Sequence, residues 1–265
     1  MQTTEDQLSE VLYDANGPIV TLTLNRPEAR NAFGAGVQAA LAVRLEQVRS
    51  NPEVRVVILT GAGTAFCAGG DLKGMEERAK TDPGAVAEIG WHRQRALHEL
   101  LGVLNDLEKV TIAAVNGPAM GLGCDLALCC DFVVAAPTAR FSMSYIRRGL
   151  IPDGGGCNFL PRRVGLAKAK ELIFTGRDVG AEEALKLGIA DRLAGGDTML
   201  AEVREWAQQF LGRSPIAIAL AKIALNRTFE RSLESTFDAG TAAQAICYTS
   251  EEHRRAVAAF FRGER

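Results

Sequence analysis

The sequence predicts an α/β protein, and three observations carry the expectation: buried-type strands that run straight into glycine loops, helices that open from those loops, and a tail that reads as helix alone. Its 265 residues suffice for a full hydrophobic core. Twenty-seven glycines beside only 6% aromatic residues point to tight packing of small side chains rather than to a β-sandwich or a disordered chain.

Val11 to Tyr13 and Ile19 to Leu24, joined across Asn16-Gly17, form an opening hairpin with apolar alternation in the second arm. Val37, Leu41, Leu45 and Val48 recur at helical spacing, and that helix ends near Asn51-Pro52. Val54 to Thr60 is a buried strand that feeds Gly61-Ala-Gly-Thr64. A long helix from about Asp82 to Leu107 carries His92 and His98, and the strand Thr111 to Val115 feeds Asn116-Gly117. A helix from about Leu122 to Cys130, a strand at Phe132 to Ala135 and a short strand around Phe141 lead to a turn at Asp153. The recurring order of strand, glycine loop and helix argues for stacked ββα-like units with their loops on one face, although no repeat is visible in the residues themselves. Beyond Leu193-Ala-Gly-Gly-Asp197 only helices follow, at about 198–212, 215–228, 231–246 and 250–262. Gly195-Gly196 therefore divides a core, 1–195, from a helical region, 196–265, whose amphipathic helices require a neighbouring subunit to cover them.

The formal net charge of −2 provides no field for nucleic acid or an anionic membrane surface. The six cysteines, Cys67, Cys124, Cys129, Cys130, Cys157 and Cys247, show no CxxC pairing and read as reduced, packed thiols of a cytoplasmic protein. The polar start Met1-Gln-Thr-Thr-Glu-Asp6 lacks the basic flank and apolar stretch of a signal peptide, and no run reaches membrane-spanning length. Three scattered histidines and unpaired cysteines offer no metal-ligand spacing.

Three glycine-bearing segments hold the candidate chemistry. Ala65-Phe-Cys-Ala-Gly-Gly-Asp71 follows a strand, lets main chain approach a ligand without a Cβ in the way, and ends in an aspartate suited to cap the next helix. Gly117-Pro-Ala-Met-Gly-Leu-Gly123 also leaves a strand and opens a helix, so its free N–H groups and the helix dipole share one mouth. Either loop alone reads at least as well as an ordinary glycine turn. Neither has the GxxxxGK[ST] or strand-GxGxxG-helix phosphate spacing, and a pair of such loops suits an oxyanion better. Ile151-Pro-Asp-Gly-Gly-Gly156 sets one carboxylate, Asp153, in a turn entering a helix, on backbone a ligand can approach. There it is either a helix cap or a base beside that oxyanion. Asn25 and Asn31 read as local turn caps, the basic pair of Pro161-Arg-Arg-Val164 as a solvated helix surface, and His92 and His253 as solvent-facing.

Leu24-Asn-Arg-Pro-Glu-Ala-Arg-Asn-Ala32, Ala65 to Asp71, Ala113-Ala-Val-Asn-Gly117 with Gly121-Leu-Gly-Cys-Asp125, and Gly149-Leu-Ile-Pro-Asp-Gly-Gly155 together resemble the crotonase (enoyl-CoA hydratase/isomerase) superfamily. The motifs stand in family order over roughly residues 10 to 192. The resemblance implies a crotonase-like spiral of ββα units with a C-terminal α-helical trimerisation region, and trimers or dimers of trimers. It implies an acyl-CoA thioester substrate, with CoA as part of that substrate and no separate cofactor. On its terms Gly70 and Leu122 N–H hold the thioester oxygen, and main chain at Ala29, Arg30 and Ala32 and at Ala68, Gly69, Gly70, Asp71 and Leu72 lies along the CoA. Gly117, Gly121 and Tyr145 belong to the same substrate-binding set.

Hydratases of the superfamily carry glutamates at the positions held here by Asp125 and Tyr145. A tyrosine of ordinary pKa, about 10, is a poor base at neutral pH, so the usual pair of acids for activating water is missing. Asp153 falls where isomerase and dehalogenase members carry their catalytic aspartate, so the resemblance implies a double-bond shift. Asp153 removes a proton, the two amides hold the dienolate, and the same acid returns the proton at another carbon, with Asp125 assisting. His98 stands where 4-chlorobenzoyl-CoA dehalogenases carry a histidine base. Gly70, Asp71 and Leu97 replace the aromatic neighbours of that chemistry, which leaves aryl-CoA dehalogenation a minor reading and His98 either a helix-surface residue or a base. Hydration of a 2-enoyl-CoA is the runner-up, and a catalytically silent acyl-CoA-binding protein is the reading of a different class. Arg254, Arg255 and Arg262 of the tail are candidates to reach CoA phosphates in a neighbouring subunit.

Overall fold

The computed structural model describes residues 8–71, 76, 80 and 82–263. β1 (Val11–Asn16) and β2 (Ile19–Leu24) form the antiparallel hairpin, turning through Gly17 at φ 58°. α1 (Ala35–Ser50) then leads to β3 (Val56–Gly61), and α2 (Pro83–Asn105) to β4 (Val110–Val115). β5 (Pro118–Met120) and α3 (Leu122–Leu128) precede β6 (Phe132–Ala135) and β7 (Arg140–Ser142). α4 (Gly156–Val164), α5 (Leu166–Thr175), β8 (Val179–Gly180), α6 (Ala181–Leu187) and β9 (Arg192–Leu193) complete the core. The tail is α7 (Met199–Leu211), α8 (Pro215–Asn226), α9 (Leu233–Thr249) and α10 (Glu251–Phe261).

The main sheet runs β1-β2-β3-β4-β6-β9, parallel from β2 onward, and a smaller sheet runs β5-β7-β8. Its parallel strands are aliphatic without interruption because both faces are covered. Val57, Leu59, Ala113 and Val115 face the larger core with Leu41 and Leu45 of α1 and Leu97, Leu101 and Leu104 of α2. The alternate residues Val56, Ile58, Ile112 and Ala114 face a second core, closed by Met199, Val203 and Ala207 of α7. The first helix of the tail is thus part of the sheet's own packing.

α8 is fastened by a buried charge. Lys222, 7% exposed, places its ammonium 2.9 Å from Asp131 Oδ2 and donates to Lys109 O, while Asp131 also accepts from Thr111 N–H at 2.8 Å. Such a pair specifies a position more than it adds stability. α9 and α10 bury no residue, and Phe237, Ile246, Tyr248, Phe260 and Phe261 are exposed on them. The basic pair read as solvated is otherwise: Arg163 is tucked in, 3.1 Å from Asp191 and donating to Asp131 O, and Arg162 is paired with Glu230. Both serve interior or inter-element contacts that no local pattern announces.

Candidate active site

β3 and β4 lie in parallel register, Leu59 opposite Ala113, so the loops that leave them start together. Cys67 bridges Ala119 of β5, and Met120 N–H donates to Cys67 O at 2.9 Å. A Cβ on Gly69 would lie 2.6 Å from Met120 O, so this glycine, at φ 94°, is what lets the two loops touch. Phe33 N–H donates to Gly69 O at 2.7 Å. The planar peptide that carries Gly69 C=O carries Gly70 N–H in the opposite direction, so that amide points away from Phe33. On the other loop Gly121, φ 53°, takes the left-handed turn. Leu122 can therefore begin α3 in ordinary helical conformation, with its N–H in the first turn, where no helix carbonyl is available. Ala68, Gly69, Gly70, Gly121, Leu122 and Tyr145 line one cleft of about 50 Å³.

Ala68 N–H donates to Arg30 O at 2.9 Å, so the stretches around Ala29–Ala32 and Ala68–Asp71 run side by side. Leu72, and the helix start that Asp71 is expected to cap, lie outside the described residues. Gly117 packs beneath the backbone of Thr64 and Ala65 and does not line the cleft. Asn31 does more than cap a turn. Wholly buried at φ 56°, it accepts from Arg26 N–H on Oδ1 and donates through Nδ2 to Ala62 O and Ala65 O at 2.9 and 2.8 Å, bolting the first loop to the shelf beside it.

Asp125, on α3, is 0% exposed, and Tyr145 O–H donates to its Oδ2 at 2.6 Å. Its Oδ1 has no partner. Burial pushes the carboxyl up to about 7, the Tyr145 hydrogen bond opposes that rise, and the nearby Asp153 charge adds to it. Burial and the adjoining Asp125 push the Tyr145 phenol far above its ordinary range, so it acts as a donor in this setting. The triple glycine roofs this acid. A Cβ on Gly154 would stand 2.5 Å from Asp125 Oδ2, and one on Gly156 would overlap Oδ1. One side of this glycine backbone is taken up by Asp125, and Gly154 and Gly155 also line the larger cavity with Asp153.

Asp153 is half-buried, one residue before that roof. Gln94 Nε2 of α2 donates to its Oδ2, and His98 Nε2 sits 2.9 Å from its backbone oxygen, so His98, itself exposed, contacts the main chain at 153. Asp153 and His98 line a second cavity of about 620 Å³, reaching to Asn226 and Arg227 at the end of α8, and neither lines the cleft of Gly70 and Leu122. The two compartments share a wall: a Cβ on Gly154 would meet Leu122 Cδ1 at 2.7 Å.

Cys67, Cys124, Cys129 and Cys130 are buried, and burial pushes the Cys67 and Cys130 thiols up to about 12, which leaves them unreactive. Cys157 is exposed and Cys247 partly so, which departs from the expectation of six packed thiols. His92 is exposed, whereas His253 is half-buried against the Tyr248 ring at 5.4 Å. Among the described residues no three His, Cys, Asp or Glu side chains gather as a metal site would require, and no described helix is long and apolar enough to cross a membrane.

The family described as enoyl-CoA hydratase/isomerase matches residues 14–263. The short-chain-enoyl-CoA hydratase of Clostridium acetobutylicum is 32% identical over 255 residues, 96% of this chain and 95% of that one. The 1,2-epoxyphenylacetyl-CoA isomerase of Escherichia coli is 36% identical over 250 residues, 94% of each. The crystal structure of an enoyl-CoA hydratase/isomerase from Cupriavidus metallidurans CH34 matches with a TM-score of 0.90 at 33% identity, covering 100% of this chain and 96% of its own. The chain belongs to the enoyl-CoA hydratase/isomerase family of enzymes, within the crotonase superfamily. One relative bears a hydratase name and the other an isomerase name at similar identity, so the reaction has to be argued from residues.

Proposed function

We propose that this protein moves the carbon–carbon double bond of an enoyl-CoA thioester. The observation that carries the reading is the clasped pair of loops, whose Gly70 and Leu122 amides belong to one cleft, an arrangement for holding a thioester oxygen as it gains charge. Asp153, steadied by Gln94, withdraws the proton beside the carbonyl, and the dienolate keeps its negative oxygen on the two amides. A proton delivered to the distal carbon completes the shift. CoA enters as part of the substrate and lies along main chain at 29–32 and 68–71, and the reacting acyl carbons lie between the cleft that Tyr145 lines and the cavity that Asp153 lines. Trimers, single or paired, cover the exposed aromatic residues of α9 and α10, and the buried, unreactive thiols support a cytoplasmic setting.

A second reading, addition of water to a 2-enoyl-CoA, is favoured by one observation: Asp125, pushed up to about 7, is an acid poised near neutrality. Parallel ultraviolet assays with a 3-enoyl-CoA and a 2-enoyl-CoA separate the two. The expected outcome is growth of conjugated-thioester absorbance from the first and no loss from the second. Loss from the second with an inert first would replace the isomerase reading by hydration. Inertness toward both, with measurable binding of the CoA esters, would leave a silent binding module.

A further inference from the structure

We propose that Asp125 and Tyr145 form a proton relay, with Asp125 as the buried store and the Tyr145 hydroxyl as the group that hands a proton to the distal carbon of the dienolate. The relay presupposes the double-bond shift proposed above and assigns the source of the returning proton, which need not be the acid that took the first one.

The two acids face different compartments. Asp153 lines the larger cavity, whereas Tyr145 lines the cleft with Gly70 and Leu122. Among the described residues lining that cleft, Ser144, Tyr145 and Arg148 have side-chain protons to give, and of these Tyr145 is the one hydrogen-bonded to a carboxyl group, at 2.6 Å. Behind it, Asp125 is built to hold a proton. It is fully buried, Oδ1 has no partner, and the glycines at 154 and 156 press backbone against both oxygens, so a neutral carboxyl fits where a charged one would go undersolvated. The groups that face it are Tyr145 from the 144–148 turn, Asp153, Gly154 N–H and Cys157 from the glycine turn and α4, and Cys124 and Cys129 from its own helix. None of these carries a positive charge. Its pKa of about 7 agrees with that setting.

The step balances. Asp153 takes the C2 proton, and the C–H electron pair enters the dienolate. The C3–C4 pair then takes the Tyr145 proton at C4, the C2–C3 double bond forms, and the thioester carbonyl is restored. In the loaded state the stored proton sits on Asp125 Oδ2 and the 2.6 Å contact runs from that O–H to the Tyr145 oxygen, leaving the phenol hydrogen to face C4. As the phenol gives up its proton it receives that of Asp125, so no free phenolate accumulates, and the emptied carboxylate then accepts from the Tyr145 O–H. Water afterwards strips Asp153 and reloads Asp125 through the same hydroxyl.

The test compares two reactions of a 3-enoyl-CoA: exchange of the C2 protons with deuterated solvent, followed by mass spectrometry, and conversion to the conjugated ester. Tyr145→Phe and Asp125→Asn are each expected to slow conversion by about 100-fold or more while C2 exchange stays within roughly threefold. In the wild type, conversion should slow as pH rises through about 7, when Asp125 empties, while exchange does not. Parallel loss of exchange and conversion in both variants would reduce the pair to a structural prop. Conversion that survives both substitutions would overturn the relay, as would deuterium carried from C2 to C4 within one substrate molecule. A wild-type protein that neither exchanges nor converts removes the double-bond shift itself, and the relay with it.

Discussion

The helix start at Asp125 and the turn at Asp153 touch, yet they hold their carboxyl groups in opposite ways. Asp125 has no exposure, one oxygen without a partner and glycine backbone against both. Asp153, a single residue from the same glycines, reaches a cavity and is held by the Gln94 amide. Two like side chains on either side of the glycine turn are thereby given different work: the enclosed one favours its protonated form, and the accessible one is placed to accept a proton. Surroundings, rather than motif membership, tell the two acids apart.

The largest effect expected from this contrast is on the accessible side. Asp153→Asn should lower both C2 exchange and conversion of a 3-enoyl-CoA by about 10²–10⁴-fold, since both begin with the proton it removes. Its cost in stability, read by urea denaturation, should stay near 0.5 kcal/mol because the side chain is only half-buried. A variant that keeps exchange would remove Asp153 as the base.

On the enclosed side the expected effect is on stability, and its sign follows from linkage. Burial holds the folded Asp125 carboxyl up at about 7, above the ordinary aspartate value near 3.8, so between those values the folded state binds more protons than the unfolded one. Stability is therefore lost as pH rises through that window. Asp125→Asn removes the titration, so the variant should gain on the wild type across the same window, by as much as ~4 kcal/mol above neutrality. Denaturation at acidic, neutral and basic pH checks this. A stability gap that is the same at every pH would remove the picture of a proton stored beneath the glycine turn.

Much of this contrast could not be read from the residues in order. Strands β1 to β4, β6 and β7, the two loops and the four tail helices were legible because each carries its own signal: an aliphatic run, a strand ending in glycine, or apolar spacing over ten residues or more; β5 falls inside the second of those loops. β8 and β9 have two residues each and show no period at all. Asp153 stood out because proline and glycine flank it, whereas the purpose of those glycines stayed hidden until Asp125 was seen under them. Gln94 and Lys222 gave no signal, since their partners lie 59 and 91 residues away in sequence and only the fold joins them. Asn31 offered half a signal: asparagine tolerates a left-handed backbone, but its bonds to Ala62 and Ala65 come from another strand's loop.

The roof itself can be tested between the two acids. Gly156→Ala would drive a methyl group into Asp125 Oδ1 and is expected to cost about 1–3 kcal/mol, because the carboxyl is packed on every side. In the double variant with Asp125→Ala the clash with the acid is relieved while that with Pro152 Cβ at 2.8 Å remains, so the Gly156→Ala penalty should shrink in part. Equal penalties in both backgrounds would show that the glycine answers to the turn and not to the acid below it.

The smallest effect is reserved for Gln94→Leu. The amide touches Asp153 alone of the two acids, so its loss should slow exchange and conversion together, by about ten-fold, the worth of roughly 1.5 kcal/mol for one hydrogen bond to a carboxylate. The fall of conversion as pH passes about 7 belongs to Asp125 and should keep its place. Were Gln94→Leu to move that fall while leaving exchange untouched, the wall between the compartments would be transmitting charge from one acid to the other. Two independent stations would then have to be replaced by a single coupled pair that titrates as one unit.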